Sequence, residues 1–405
     1  MRVMIFEPRW AGHHFVYVKH IIAAVSQLPI ELSLVTSRQA HESAEFHQHL
    51  NGLDARVKVA DWVQALSGTP FQETKMRVSQ LVKAIKAQSP DHVFIPDADG
   101  VFPLWSVTHL LPRVLPRRGM AEVEPILLRC GAGYKSHGLR RVKMSSVAAA
   151  MGYSAAKIIH TIDTVGYEGI RAKGGALAKK LRALPDFAED SPSLPRGFAR
   201  RVLGIPEDGL YIGSVGYLDG RKGVVELLTA FSASDFSQRA RVLLAGRVEP
   251  HLRAQIDRLF PELVLAGRII LVDRILTDDE LNAALCALNV VGCAYVGHTA
   301  PSAIVSRAAV LGRPVIAADA GWMGEIVPRF SLGVVVAPEN VQEYAKAIAN
   351  TLSTADDFHA SPQGRRFFNF LSEKNFAMGI SARLRARLGM PPLPFQTWET
   401  VVAGT

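Results

Sequence analysis

Three short runs in the chain carry side chains suited to holding an anionic group. Gly216-Tyr217-Leu218-Asp219-Gly220-Arg221-Lys222-Gly223 sets two adjacent cations, Arg221 and Lys222, among three glycines. Opening a helix, such a loop offers a diphosphate both backbone N–H groups and fixed positive charge. Gly297-His298-Thr299-Ala300-Pro301-Ser302 puts hydroxyl residues ahead of an apolar helical run; Thr299 and Ser302 suit a phosphate there, and equally suit helix caps. In Pro8-Arg9-Trp10-Ala11-Gly12-His13-His14, Gly12 lets a ligand approach the backbone and His13 can hydrogen-bond or transfer a proton. A turn glycine followed by helix-cap histidines reads as well.

Other phosphate signatures are missing. There is no G-x-x-x-x-G-K-[ST] loop, and no G-x-G-x-x-G follows the first apolar run; Gly131-Ala132-Gly133 is too short to replace it. An ATPase or a standard NAD dehydrogenase therefore loses most of its support. His160, at the end of an apolar run, reads as a satisfied core histidine.

The elements that must position these loops alternate along the chain. Val3-Met4-Ile5-Phe6 reads as a buried strand, and Val18, Ile21, Ile22 and Val25 follow at helical spacing. Glu31 to Val35, His92 to Ile95, Ile126 to Arg129 and Lys157 to His160 continue the strands, with a helix from Lys75 to Lys86. A Pro/Ser/acid-rich segment from Leu184 to Pro195 breaks the rhythm, which restarts at Tyr211 to Val215. Strands are then expected at Arg241 to Ala245, Ile269 to Val272, Val290 to Gly292 and Pro314 to Ala317, with helices at Pro250 to Leu259, Asp278 to Leu288 and Ser302 to Leu311. This is the rhythm of parallel sheets covered by helices, and it predicts an α/β chain of two Rossmann-like domains facing each other across a cleft. The boundaries expected are 1–190, 191–364, a helix over 365–390 crossing back to the first domain, and a tail at 391–405.

Length and charge agree with that division. The 405 residues exceed what one core usually supports, and 48% apolar against 20% charged residues excludes disorder and coiled coil as overall descriptions. Of the formal charge of +9, residues 1–100 contribute 0, residues 101–190 (14 basic, 7 acidic) +7, and residues 191–405 (22 basic, 20 acidic) +2. The surplus in 101–190 reads first as solvated helix faces; it lacks the interleaved aromatics of a nucleic-acid surface. The three cysteines, Cys130, Cys286 and Cys293, are badly spaced for disulfides or zinc and fit a reduced, cytoplasmic compartment. No apolar run reaches spanning length, so any membrane contact is expected to be peripheral.

Several runs carry a family resemblance. Leu203 to Asp208 (LGIPED), Gly216 to Phe231 (GYLDGRKGVVELLTAF), Arg307 to Val315, Asp319-Ala320-Gly321, Glu325-Ile326-Val327, Leu332 to Val336 and the helix from Asn340 to Leu352 resemble the group 1 retaining glycosyltransferases of the GT-B fold. The likeness covers about Arg200 to Leu352; the first half shares only strand order and the Gly12 loop. It implies a nucleotide-diphosphate-sugar donor held by the second domain, with Gly216 and Lys222 at the diphosphate, Arg221 beside them, and no bound metal. Tyr217 stands where the family often has an arginine.

The family's two glutamates, eight residues apart, fall on Thr299 and Arg307. An arginine cannot accept hydrogen bonds from ribose hydroxyls; it can contact a phosphate or pair with Glu325. The family's histidine after the fourth strand is replaced by Phe94-Ile95-Pro96-Asp97-Ala98-Asp99-Gly100, where Asp97 can accept a proton from, or orient, an acceptor hydroxyl. Asp99 reads more readily as a turn former.

The expectation is a glycosyltransferase acting on a glycan, lipid-linked or small-molecule acceptor, with retention. It would be cytoplasmic and peripheral on the inner face of an anionic membrane, without nucleic acid. The missing glutamates motivate an alternative, a non-catalytic GT-B scaffold. A sugar-nucleotide epimerase would need more carboxylates than the cleft offers.

Overall fold

The computed structural model describes residues 1–10, 14–52, 57–109, 121–135, 137–188, 192–234 and 240–403. They fall into two compact units, Met1–Pro185 with Lys374–Thr397, and Asp186–Glu373 with Trp398–Thr405.

In the first unit, β1 (Arg2–Phe6), β2 (Glu31–Ser37), β3 (Val57–Val63), β4 (His92–Ile95), β5 (Glu122–Leu127), β6 (Ile159–Thr161) and β7 (Leu181–Ala183) form one sheet. Its order is β3-β2-β1-β4-β5-β6-β7, and every neighbouring pair is parallel. Val3 to Phe6 are buried at its centre, as a strand covered on both faces must be.

The apolar runs of the sequence do not show β3 or β7. β3 lies at a sheet edge with most of its residues half-exposed, and β7 has three residues, so neither needs an apolar block. β5 begins at Glu122 rather than Ile126 because its charged start is satisfied. Glu124 is buried between His92 Nε2 at 3.0 Å and His160 Nε2 at 2.5 Å, on the strands either side. His160 is thus a core histidine with a carboxylate partner.

The second unit repeats the topology. β8 (Leu210–Val215), β9 (Ala240–Ala245), β10 (Ile269–Val272), β11 (Val290–Cys293), β12 (Val315–Ala318) and β13 (Gly333–Val336) are ordered β10-β9-β8-β11-β12-β13, again all parallel. The helix Val224–Ala233 buries Val224, Leu227, Leu228 and Phe231 against Val242 and Leu244 of the sheet and Ile348 and Leu352 of the helix Val341–Ser353. Each such side chain contributes about 1.5–3 kcal/mol of burial.

The helix expected over 365–390 is two. Pro362–Phe370 ends where the Ser372 hydroxyl turns back onto the Asn369 carbonyl at 3.0 Å, and Glu373–Arg387 follows. The first stays in the second unit, where Phe367 stacks on Phe330 with centroids 4.7 Å apart. The second lies mostly in the first unit, and Arg383 there donates to both Glu122 oxygens at 2.6 and 2.9 Å. Residues 391–405 are not a mere tail. Trp398 opens the helix Trp398–Val402 and is 1% exposed, packed against Phe330, Phe367 and Phe370.

Candidate functional site

Ligands of a parallel sheet bind beyond the carboxyl ends of its strands, where the strand order reverses. In the second sheet that point falls between β8 and β11. The loops leaving these strands are 216–223 and 294–302, two of the three runs singled out by their chemistry.

Close backbone approach brings the loops together. Gly216 leaves β8 at φ +103°, and a Cβ there would meet only the Lys222 ammonium, at 3.9 Å, so the space above the turn is open. Gly223 sits at φ +63° with its α-carbon against loop 294–302; a Cβ would lie 2.2 Å from the Ala294 carbonyl oxygen. A glycine is required there on both counts. The Val296 amide also donates to the Arg221 carbonyl at 2.9 Å.

Lys222 is the cation this geometry aims. Half-buried, it donates to the Tyr295 hydroxyl at 2.9 Å and, more weakly, to the Val215 carbonyl at 3.4 Å, with its Nζ 4.4 Å from the Tyr295 ring centre. Burial lowers its amine from the usual lysine range, Arg221 adding to the shift and Cys293 and Asp219 opposing it. Tyr295 is buried, which pushes its phenol well above the ordinary range; Ser302 is a further hydrogen-bond partner. Ser302 caps the helix Ala303–Val310, accepting from the Val305 amide at 3.4 Å. Arg221, Lys222, Tyr295, His298, Ser302 and Ile304 line a cavity of about 190 Å³ at this point.

The other residues of the set are placed differently. Arg221 lines the cavity, but its exposed guanidinium is already held by the Asp219 carboxylate at 2.8 and 2.9 Å. Thr299 gives its carbonyl to the Trp322 amide at 3.0 Å, tying loop 294–302 to the helix Gly321–Arg329. Arg307 is half-buried in the last turn of Ala303–Val310, and Glu325 is exposed on Gly321–Arg329. Tyr295 was not legible as a site residue. Its only sequence signal is an aromatic hydroxyl at the end of the apolar run of β11.

In the first sheet the reversal falls between β1 and β4, and there a buried charge cluster stands. Gly12 and His13 lie outside the described residues. Glu7 directly follows β1, Asp97 lies just beyond β4, and both are buried. Arg9 pairs with Asp97, His14 Nδ1 lies 3.3 Å from Glu7 and 3.7 Å from Asp97, and Arg77 donates to the Asp97 carbonyl. Burial opposes ionisation of Glu7, but His14, Arg77 and Arg9 outweigh it and bring its carboxyl down to about 2. Asp97 therefore stands in an ion-paired cluster rather than as an isolated base.

Asp99 behaves as a structural tie. One of its oxygens accepts from the Leu128 amide at 2.7 Å and the Arg129 amide at 3.2 Å, while burial and then Asp97 raise its carboxyl to about 7.

Residues 209–354 match the family model described as glycosyl transferases group 1. No curated protein sequence matches the chain. Among solved structures, sucrose-phosphate synthase from Thermosynechococcus elongatus is similar at TM-score 0.72 and 17% identity, covering 96% of this chain and 99% of its own. Anabaena Alr3699/HepE in complex with UDP gives TM-score 0.64 at 15% identity over 96% and 100% of the two chains. A UDP-N-acetylglucosamine 2-epimerase gives 0.61 at 12% over 98% of each. At such identities the structures establish the shared fold, and the choice between transfer and epimerisation rests on the family match. Residues 209–354 are a group 1 glycosyl transferase domain, and the chain that carries them has the GT-B fold.

Proposed function

We propose that the protein moves a sugar from a nucleotide-diphosphate donor to a glycan or lipid-linked acceptor, with retention at the anomeric carbon. The observation that carries this is Lys222, held by Tyr295 over the cavity at the reversal of the second sheet. As the anomeric C–O bond breaks, negative charge collects on the leaving diphosphate. Lys222 would meet that charge, and the amides at the start of Ala303–Val310 would add to it. Arg221, already paired with Asp219, would serve as a secondary cation. The solved Alr3699/HepE complex contains UDP, which makes a uridine nucleotide the first donor base to try.

In this reading Asp97 orients an acceptor hydroxyl, its carboxylate held in position by the ion pair to Arg9. No residue of this site suggests a metal requirement, since Lys222 and the helix start supply the positive charge. The surplus of cations in 101–190 favours an anionic membrane face for the acceptor side.

The test is sugar transfer from a panel of nucleotide sugars, with Lys222→Ala alongside. The variant should lose about 10²–10³-fold in kcat/KM while keeping its circular dichroism; unchanged turnover would remove the assigned diphosphate site. Thr299 and Arg307, in place of two carboxylates, favour one second reading, a scaffold that binds nucleotide without turnover. It predicts measurable UDP binding and no transfer with any donor.

A further inference from the structure

A second, larger cavity of about 640 Å³ lies wholly within the first unit, against the helix Gly138–Tyr153. That helix is poorly covered. Of its 16 residues only Ala150, Met151 and Gly152 are buried, while Leu139, Val142 and Tyr153 are 89%, 64% and 73% exposed. A helix with so much apolar surface open to water marks an interaction site more often than a free face.

The cavity is a trough with two unlike ends. Its floor is apolar, with Met144 and Ala148 from the helix facing Ile170 and Leu177. At the helix start stand Lys135, His137 and Arg141, all exposed, and among the described residues no carboxylate lines the trough. His137, at the cap position, makes no side-chain cap hydrogen bond, and the positive end of the helix dipole lies beside these cations. Lys173 also lines the trough, but its ammonium is committed to the carbonyls of Ala132, Gly133 and Tyr134 at 2.6, 3.2 and 3.3 Å. It holds the turn and leaves Lys135 and Arg141 as the available cations. From Arg141 to Tyr153 the helix rises about 18 Å, enough for an extended hydrocarbon chain.

We propose that this trough binds one anionic amphiphile, its headgroup at Lys135, His137, Arg141 and the helix start, its hydrocarbon along Met144, Ala148 and Leu177 towards Tyr153. The charge decides the head and the floor decides the chain. A free phosphate would leave the apolar floor unused, and a neutral amphiphile would leave the cations unpaired. The site accounts for part of the +7 surplus of residues 101–190 and does not depend on the nucleotide reading of the second unit.

The test is calorimetry of the full chain with dodecyl phosphate below its micelle concentration, beside dodecyl maltoside and inorganic phosphate. Dodecyl phosphate should bind one to one and at least tenfold tighter than either control. Lys135→Glu with Arg141→Glu should weaken it at least tenfold, and so should Ala148→Trp, which fills the floor. Both variants should keep the wild-type circular dichroism and melting temperature, and their affinity for UDP should not change. Equal binding of inorganic phosphate, equal binding of dodecyl maltoside, or unchanged affinity in the charge-reversed variant would each overturn the proposal, as would binding to anionic vesicles with none to the monomer. Loss of UDP binding in the wild type would count against the donor site alone.

Discussion

The Lys222 ammonium and the Tyr295 hydroxyl lie 2.9 Å apart and join the loop that leaves β8 to the loop that leaves β11. Their strands are neighbours at the point where the order of the second sheet reverses. A cation on a four-carbon stem would otherwise sample many positions. Its hydrogen bond to a buried phenol holds it over the cavity at that reversal.

Tyr295→Phe keeps the ring beside Lys222 and removes the acceptor. A net hydrogen bond is worth about 1 kcal/mol, so kcat/KM for the donor should fall about fivefold, with kcat sharing in the loss because Lys222 meets charge that develops in the transition state. Tyr295→Ala should cost more, because it also opens a cavity. Steady-state kinetics on both variants decides it; a Phe variant with wild-type kcat/KM would show that Lys222 is held by other means.

Gly223→Ala tests the backbone contact between the same loops. Its positive φ and the 2.2 Å approach of a Cβ to the Ala294 carbonyl predict a loss of about 1–3 kcal/mol. Urea denaturation reads this directly. Donor affinity should fall with it, since Lys222 is the preceding residue; wild-type stability would mean that the loop moves aside freely.

The acid limb of stability has named sources. Glu7 and Glu124 both drop from an ordinary 4.5 to about 2; burial opposes the drop, and His14 for the first and His160 and His92 for the second outweigh it. The folded form then binds fewer protons than the unfolded chain, so their contribution is present above 4.5 and lost as pH falls towards 2. Asp99 has the opposite sign. Raised from 3.8 to about 7, it binds the extra proton when folded, and stability declines as pH rises through that window. Asp99→Asn keeps an oxygen for the Leu128 and Arg129 amides and should flatten the decline. Unfolding free energy measured from pH 4 to 8 would contradict this if the slopes of variant and wild type coincide.

Trp398→Ala should destabilise the second unit by about 3–5 kcal/mol, the usual range for emptying a buried aromatic site. Thermal unfolding would follow it. A change under about 0.5 kcal/mol, typical of an exposed position, would return the last residues to a tail.

Much of this arrangement is legible in the amino-acid order, for identifiable reasons. Strands covered on both faces leave continuous apolar blocks, as in Val3 to Phe6 and Arg241 to Ala245, and both reversal points could be found from the loops that follow them. Edge strands such as β3 bury too little to leave that mark. Glu124 hides the start of β5 because its partners His92 and His160 lie 32 and 36 residues away in the chain. Tyr295 is invisible for the same reason: its role depends on a lysine 73 residues earlier. The split between Pro362–Phe370 and Glu373–Arg387 is decided by which aromatic surface each helix meets, and local periodicity carries no information about that.

The chain's return to the first unit at Lys374–Thr397 has a consequence for its birth on the ribosome. The amino-terminal sheet emerges early, but the helix whose Arg383 neutralises Glu122 is made only after the whole second unit. Folding cannot close strictly in order of synthesis. The first unit must wait, incomplete at β5, until the second unit has been made.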